Sequence, residues 1–237
     1  LGLRGVWPAS PAAASRATAG PAQAGRVRQA GVRAAESRVR RAVAGAGDGR
    51  AVRIVGGRFK GRRLTGPAPD SRTIRPTSDR LREALFNVLA HAYENPADGA
   101  RVLDLFAGTG ALGLEALSRG GRFALFVDDG AEARGALRAN VEALGLGGAT
   151  RIFRRNAAKL GPVGTIAPFD LVFADPPYGK GLGERALASA RDGGWLAPGA
   201  LALLEESAEA EIAAPAGFEP LETRLYGDTQ VLILRAA

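Results

Sequence analysis

A chain of 237 residues with 46% hydrophobic content is long enough for one sizeable domain plus an extension, and no uncharged apolar run approaches the roughly 18 residues a membrane span needs. Cysteine is absent and His91 is the sole histidine, which excludes disulfides, thiolate chemistry and a histidine-rich zinc site. The net charge of +8 sits in the amino-terminal third: nine basic residues face two acids over 1–50, nine face three over 51–85, and the remainder is acidic on balance. A positive field of this kind suits phosphate, the other reading being a solvated basic surface.

Residues 1–50 are rich in Ala, Gly, Pro, Ser and Arg and cannot bury enough apolar surface to offset their ordering entropy, so a basic, disordered extension is expected, with a short helix between Val27 and Val43 allowed. Its Arg-rich, acid-poor character also fits an organelle transit peptide. From Val52 the pattern tightens. Arg53 to Arg58 and Arg62 to Leu64 read as short strands around a Gly-rich basic turn, and Thr77 or Ser78 caps a helix running to about Ala92. Leu81, Leu85, Val88 and Leu89 recur at helical spacing and form its core stripe, while Arg80 and Arg82 lie off the stripe and can face a substrate. His91 reads as a helix-end surface residue.

Strands and helices then alternate: strand 101–106, helix 109–119, strand 123–127, helix 131–144, strands 150–154 and 169–174, helix 183–191, strand 200–205. Such alternation predicts an α/β fold with a parallel sheet covered on both faces and ligands at the carboxyl ends of the strands. Asp104, Asp128, Asn156 and Asp175 all fall at or beyond such ends, on one rim. A last pair, about 219–226 and 230–235 joined by Gly227-Asp228, reads as an antiparallel hairpin.

Two motifs carry chemistry. Val102 to Gly113 runs from an apolar strand through Phe106, Gly108, Thr109 and Gly110 into a helix, a turn that lets backbone approach a ligand. Its glycine spacing invites a dinucleotide reading, but Asp104 four residues ahead of Gly108 gives D-x-x-x-G-x-G, similar to the first motif of S-adenosylmethionine (SAM) methyltransferases. Asp128, about twenty residues on, can accept from both hydroxyls of a ribose; Asp129 is its ambiguous neighbour. The second motif, Asp175-Pro176-Pro177-Tyr178, follows the buried run Phe169–Ala174 and looks like the D-P-P-Y signature of enzymes that methylate an exocyclic amine on a base. Such an amine is a poor nucleophile, because its lone pair is delocalised. Asp175 and the Pro176 carbonyl are suited to accept from it and Tyr178 to stack on the base, the alternative being a Pro-Pro turn. Without cysteine, methylation at a pyrimidine carbon is disfavoured against direct transfer to nitrogen or oxygen.

Over residues 52–235 the chain resembles the RsmD family, bacterial methyltransferases of a guanine N2 amine in 16S ribosomal RNA. The resemblance rests on both motifs, on Arg53–Leu64, on Arg75–Asn87 and on Tyr226–Thr229. It implies a Rossmann-like class I fold, a seven-stranded mostly parallel sheet with an antiparallel carboxyl-terminal hairpin and a small amino-terminal hairpin and helix. The implied organisation is an extension over 1–50, an RNA-facing hairpin and helix over 51–95, and a SAM-dependent domain over 96–237.

By the same resemblance the cofactor is SAM, touched by Asp104, Phe106, Gly108, Thr109, Gly110, Asp128, Asn156 and Thr77, with Asp175, Pro176, Pro177 and Tyr178 catalytic. RNA falls to Arg53, Arg58, Lys60, Arg62, Arg63, Arg80 and Arg82. Where the family commonly carries an Asp that accepts from adenine, this chain has Asn156, whose carboxamide accepts without charge assistance. A cytoplasmic, monomeric, metal-independent enzyme acting on small-subunit ribosomal RNA is the expectation, import into an organelle being left open. The alternatives are an amine methyltransferase of DNA or protein and a catalytically idle SAM- and RNA-binding assembly factor.

Overall fold

A computed structural model of the protein describes residues 52–66 and 78–237; the expectations for residues 1–50 and for Thr77 lie outside these. Seven strands form one sheet: β1 Arg101–Leu105, β2 Phe123–Val127, β3 Thr150–Phe153, β4 Phe169–Ala174, β5 Leu196–Ser207, β6 Phe218–Tyr226 and β7 Thr229–Ala236, in the order β3-β2-β1-β4-β5-β7-β6. The first five are parallel, while β7 runs antiparallel to both β5 and β6. Among the described residues four helices accompany them: α1 Asp79–Ala92, α2 Ala111–Ser118, α3 Ala131–Ala143 and α4 Leu182–Asp192. The expected α/β sheet with its closing hairpin is therefore present, and among the described residues no helix is long and apolar enough to cross a membrane.

Because side chains alternate across a strand, the apolar runs feed two cores. Val102, Phe126, Phe173, Leu203 and Ile233 meet α1, α2 and α3 on one face; Leu103, Val127, Val172, Leu204 and Leu234 meet α4 on the other. Val52, Ile54 and Leu64 belong to the first of these, so the amino-terminal segment shares its core with the sheet.

That segment departs from the expected pair of strands. It is a tight hairpin with one antiparallel bridge, Arg53 with Arg63, and Gly57–Phe59 forms a turn of 3-10 helix where a continuous strand was expected. The reason is its partner. Every residue of α2 is buried, including Glu115 and Ser118, because the hairpin lies across that helix's outer side. Glu115 Oε2 accepts from the Val55 amide at 2.8 Å, and Ser118 Oγ accepts from the Phe59 amide at 2.9 Å while donating to the Gly56 carbonyl. Gly57, at φ +71°, lies so close to the Ser118 carbonyl that a Cβ would collide with it. Hydrogen bonds that a ladder would make are spent on a helix instead.

α1 starts at Asp79, with Ser78 Oγ accepting from the Leu81 amide as its cap. Its buried face is Leu81, Arg82, Leu85, Phe86 and Leu89; Val88 is only half-buried. β5 is longer than the expected 200–205. Pro198-Gly199 do not end the strand but bulge out between the Phe169–Leu196 and Leu171–Leu201 pairs, which leaves β5 in register beyond them.

Candidate active site

The register lines up the carboxyl ends of the parallel strands. Phe153 pairs with Val127, Val127 with Leu105, Leu105 with Ala174, and Ala174 with Leu204. The next residue on each strand is therefore Arg154, Asp128, Phe106, Asp175 and Glu205, side by side along one rim, where the sequence placed two of them, Asp128 and Asp175. Phe106 turns the chain out of β1 with φ +62°, a left-handed conformation that a non-glycine residue adopts at a cost of about 1 kcal/mol or more. Thr109, 4% exposed, and Gly110 then lead into α2, where Gly110 at φ +80° sits against Leu137, which a Cβ would strike.

Asp104, one residue short of the rim, is 2% exposed, and its Oδ2 accepts from the Gly113 amide at 2.9 Å in the first turn of α2. Burial pushes its carboxyl well above the usual range; the Gly113 bond pulls the other way, and Asp175 and Asp128 push it up further. Asp128 ties two loops together: Oδ2 accepts from the Gly108 amide at 2.8 Å and Oδ1 from the Gly130 amide at 2.7 Å. Its pKa is also raised, mainly by burial. Asp175 is half-buried, with its amide 3.5 Å from the Leu105 carbonyl; Pro176 is buried and Pro177 exposed. The glycine turn and the D-P-P-Y loop thus share one rim. Asn156 is exposed and its Oδ1 accepts from the Ala158 amide at 2.9 Å, capping the 3-10 turn Ala157–Lys159, so the oxygen expected to meet adenine already serves its own turn.

Sequence reasoning missed two sets of residues. Asn140 of α3, 1% exposed, accepts from the Thr65 amide at 2.6 Å and donates to the carbonyls of Thr65 (3.1 Å) and Thr109 (2.9 Å), bracing the glycine turn against the segment after the hairpin. Glu205 and Glu206, the last residues of β5 before Ser207, hold the D-P-P-Y loop, Glu205 through the Tyr178 hydroxyl and Glu206 through the Gly179 amide. The acids closing the apolar run 200–204 were a signal for the second set. No local signal marks Asn140, whose partners lie 75 and 31 residues away.

The basic residues divide. Arg82 is a correction: it is fully buried, its Nη2 2.7 Å from Asp79 and bonded to the Arg53 carbonyl, and so cannot face a substrate. Arg53 is exposed but paired with Asp79 at 3.1 Å. Burial tends to raise Asp79, yet the bonds from Arg53 and Arg82 outweigh it and hold the carboxyl below its usual value. Arg58, Lys60, Arg62, Arg63 and Arg80 are exposed. Arg58, Lys60 and Arg62 lie at the hairpin tip, which is docked at the carboxyl-terminal end of α2, with Arg62 also donating to the Ala143 carbonyl, while Arg63 sits in the bridge with Arg53. That helix begins at the rim and runs away from it for about 12 Å. A phosphate track using these side chains is therefore remote from the chemistry. A concavity of about 500 Å³ beside α4, lined by Arg185, Ser189 and Asp192 among others, contains none of the candidate site residues.

A cationic ligand suits the acidic rim, since a nearby positive charge offsets the burial of Asp104 and Asp128. Among the described residues no group of three or more His, Asp or Glu is placed to hold a metal ion. SAM fits on these grounds, carrying an ammonium, a sulfonium and a ribose: Asp104, the Phe106–Gly110 turn and Asp128 are the residues that would hold it. Fold and rim together define a Rossmann-like class I SAM-dependent methyltransferase.

The family model described as Conserved hypothetical protein 95 matches residues 52–235, and the chain belongs to that family, the RsmD family. It is 43% identical over 153 residues to the ribosomal RNA small subunit methyltransferase D of Escherichia coli, covering 64% of this chain and 73% of the relative. The protein of the same description from Haemophilus influenzae is 33% identical over 171 residues, covering 71% and 86%. Among solved structures, yhhF of Escherichia coli superposes with a TM-score of 0.65 at 35% identity, over 78% of this chain and 98% of that one.

Proposed function

We propose that the protein transfers the methyl group of SAM to the exocyclic N2 amine of a guanine in small-subunit ribosomal RNA. What supports the reading is the rim: Asp175 and the D-P-P-Y loop stand beside the glycine turn, one strand from Asp104 and two from Asp128. The relatives named above support ribosomal RNA as the substrate, and the family resemblance supports guanine N2.

In this mechanism SAM supplies an electrophilic methyl on a sulfonium. The protein's task is placement and dipolar stabilisation. Asp104 would hold the amino end of the cofactor, the Phe106–Gly110 backbone would wrap it, and Asp128 would accept from its ribose. Asp175 and the Pro176 carbonyl accept from the guanine amine and favour a tetrahedral, more nucleophilic nitrogen, which would form its bond to the methyl carbon in line as the carbon–sulfur bond breaks, leaving S-adenosylhomocysteine, and then give its proton to water. Tyr178 stacks on the base. Exposed Arg58, Lys60, Arg62 and Arg63 hold phosphates away from the site and add affinity rather than rate.

Replacing Asp175 with Ala tests the assignment. SAM affinity by calorimetry should survive while methyl transfer to unmodified small-subunit RNA falls by about a hundredfold or more. An unchanged rate would refute the role. Label appearing in DNA or protein instead of RNA would favour the other amine substrates.

A further inference from the structure

The last residues of β5 before Ser207 are two adjacent acids, Glu205 and Glu206, only 6% and 2% exposed. Burying carboxylates at a strand end costs free energy that apolar residues would avoid. Both are spent on the D-P-P-Y loop. Neighbouring residues of a strand point to opposite faces, so the loop is gripped from both sides of the sheet. The Tyr178 hydroxyl donates to Glu205 Oε1 at 2.7 Å, and the Gly179 amide reaches Glu206 at 3.0 and 3.1 Å. Thr229, the first residue of β7 and 7% exposed, brings its hydroxyl to 3.3 Å from that of Tyr178. Register explains the meeting. Glu205 follows Leu204, the partner of Ala174, and so stands next to Asp175, while Thr229 pairs with Ser207 just beyond.

We propose that Glu205, backed by Thr229, is a positioning residue for methyl transfer: by holding the Tyr178 hydroxyl it fixes the plane of the ring on which the target base is laid. This rests on the reading of Tyr178 as the base platform. The ring is anchored at both ends, by the Pro-Pro loop at its Cα and by Glu205 at its oxygen, so it cannot turn into other staggered wells. Burial and then the Glu205 charge raise the phenol pKa, ahead of the lowering by the Thr229 bond, and the Glu205 bond and the Asp175 charge add to the rise, which keeps the hydroxyl protonated and donating. The carboxyl-terminal hairpin thereby becomes part of the site, since it delivers Thr229.

The consequence is kinetic. RNA affinity is set largely by phosphate contacts, so a ring that has lost its anchor leaves RNA bound with its base in an unproductive pose. In the full chain, assayed with SAM and unmodified small-subunit RNA, Tyr178→Phe and Glu205→Leu should each lower kcat about tenfold. KM for RNA and Kd for SAM should stay within about twofold. The double variant should be no worse than either single one, and Glu205→Gln, whose amide oxygen still accepts, should recover most of the rate.

Retention of full kcat by Tyr178→Phe, with Tyr178→Ala inactive, would overturn the anchor while leaving the platform reading intact; so would single-variant losses that multiply in the double variant. Full activity of Tyr178→Ala would remove the platform reading and this proposal with it. If Glu205→Leu does not fold, Tyr178→Phe, which deletes one oxygen, decides alone.

Discussion

Asn140 offers a quantitative test of how the glycine turn is held. Asn140→Leu keeps the side chain's approximate volume and removes three hydrogen bonds, two to Thr65 and one to the Thr109 carbonyl. Thr65 is exposed and water can replace its lost partners, so each of those bonds costs about 0.5–1 kcal/mol. Thr109 is 4% exposed, and its carbonyl left without a partner adds about 1–3 kcal/mol. The sum is about 3 kcal/mol. For a domain of this size that corresponds to a fall in melting temperature of roughly 6–12 °C. The turn also loses its brace, so SAM affinity should fall about tenfold, equivalent to about 1.4 kcal/mol. Thermal melts and calorimetric titration with SAM measure the two effects separately. A melting temperature within about 2 °C of the native protein, together with unchanged SAM affinity, would refute the assignment.

Three further outcomes are expected. Asp104 has a raised pKa, so its contribution to stability is fully present below the unfolded value of about 4 and is lost as pH rises through the folded value. Asp104→Asn should therefore gain stability relative to the native protein as pH rises from about 5 to 8, by about 1.4 kcal/mol for every pH unit over which the buried carboxyl stays protonated while the unfolded one is ionised, and should bind SAM more weakly; parallel stability curves would contradict this. Arg82→Ala removes a fully buried side chain and its bonds to Asp79, which is 26% exposed and keeps Arg53, and to the Arg53 carbonyl; it should cost about 1.5–3 kcal/mol in chemical denaturation, whereas a loss below about 0.5 kcal/mol would mean the side chain is not structural. Replacing Arg58, Lys60 and Arg63 together by Gln should flatten the dependence of log affinity for RNA on log salt by about 2 and leave saturated kcat within about twofold; a collapse of kcat would place the hairpin at the chemistry.

Much of the site was legible because it depends on local order. An apolar run followed by Asp or Gly fixes which end of a parallel strand carries the residue, and that was enough to set Asp128 and Asp175 on one rim, with Asp104 one residue behind it. What escaped depends on partners distant in sequence. The apolar stripe of α1 was read from Leu81, Leu85, Val88 and Leu89, yet the fully buried set Arg82, Leu85, Phe86 and Leu89, spaced i, i+3, i+4, i+7, is rotated toward Arg82. Counting only apolar residues moved the face, because an arginine buried against Asp79 and a carbonyl 29 residues away has no hydropathy signature. The hairpin failed as a pair of strands for a related reason: the residues that take its hydrogen bonds, Glu115 and Ser118, are about sixty positions further on.

The most direct measurement is to incubate the protein with methyl-labelled SAM and unmodified small ribosomal subunits, digest the RNA and identify the labelled nucleoside by mass spectrometry. N2-methylguanosine at a single position, absent with Asp175→Ala, is the expected result. Label on another atom or in protein, or no label despite bound SAM, would contradict the proposed chemistry of the rim.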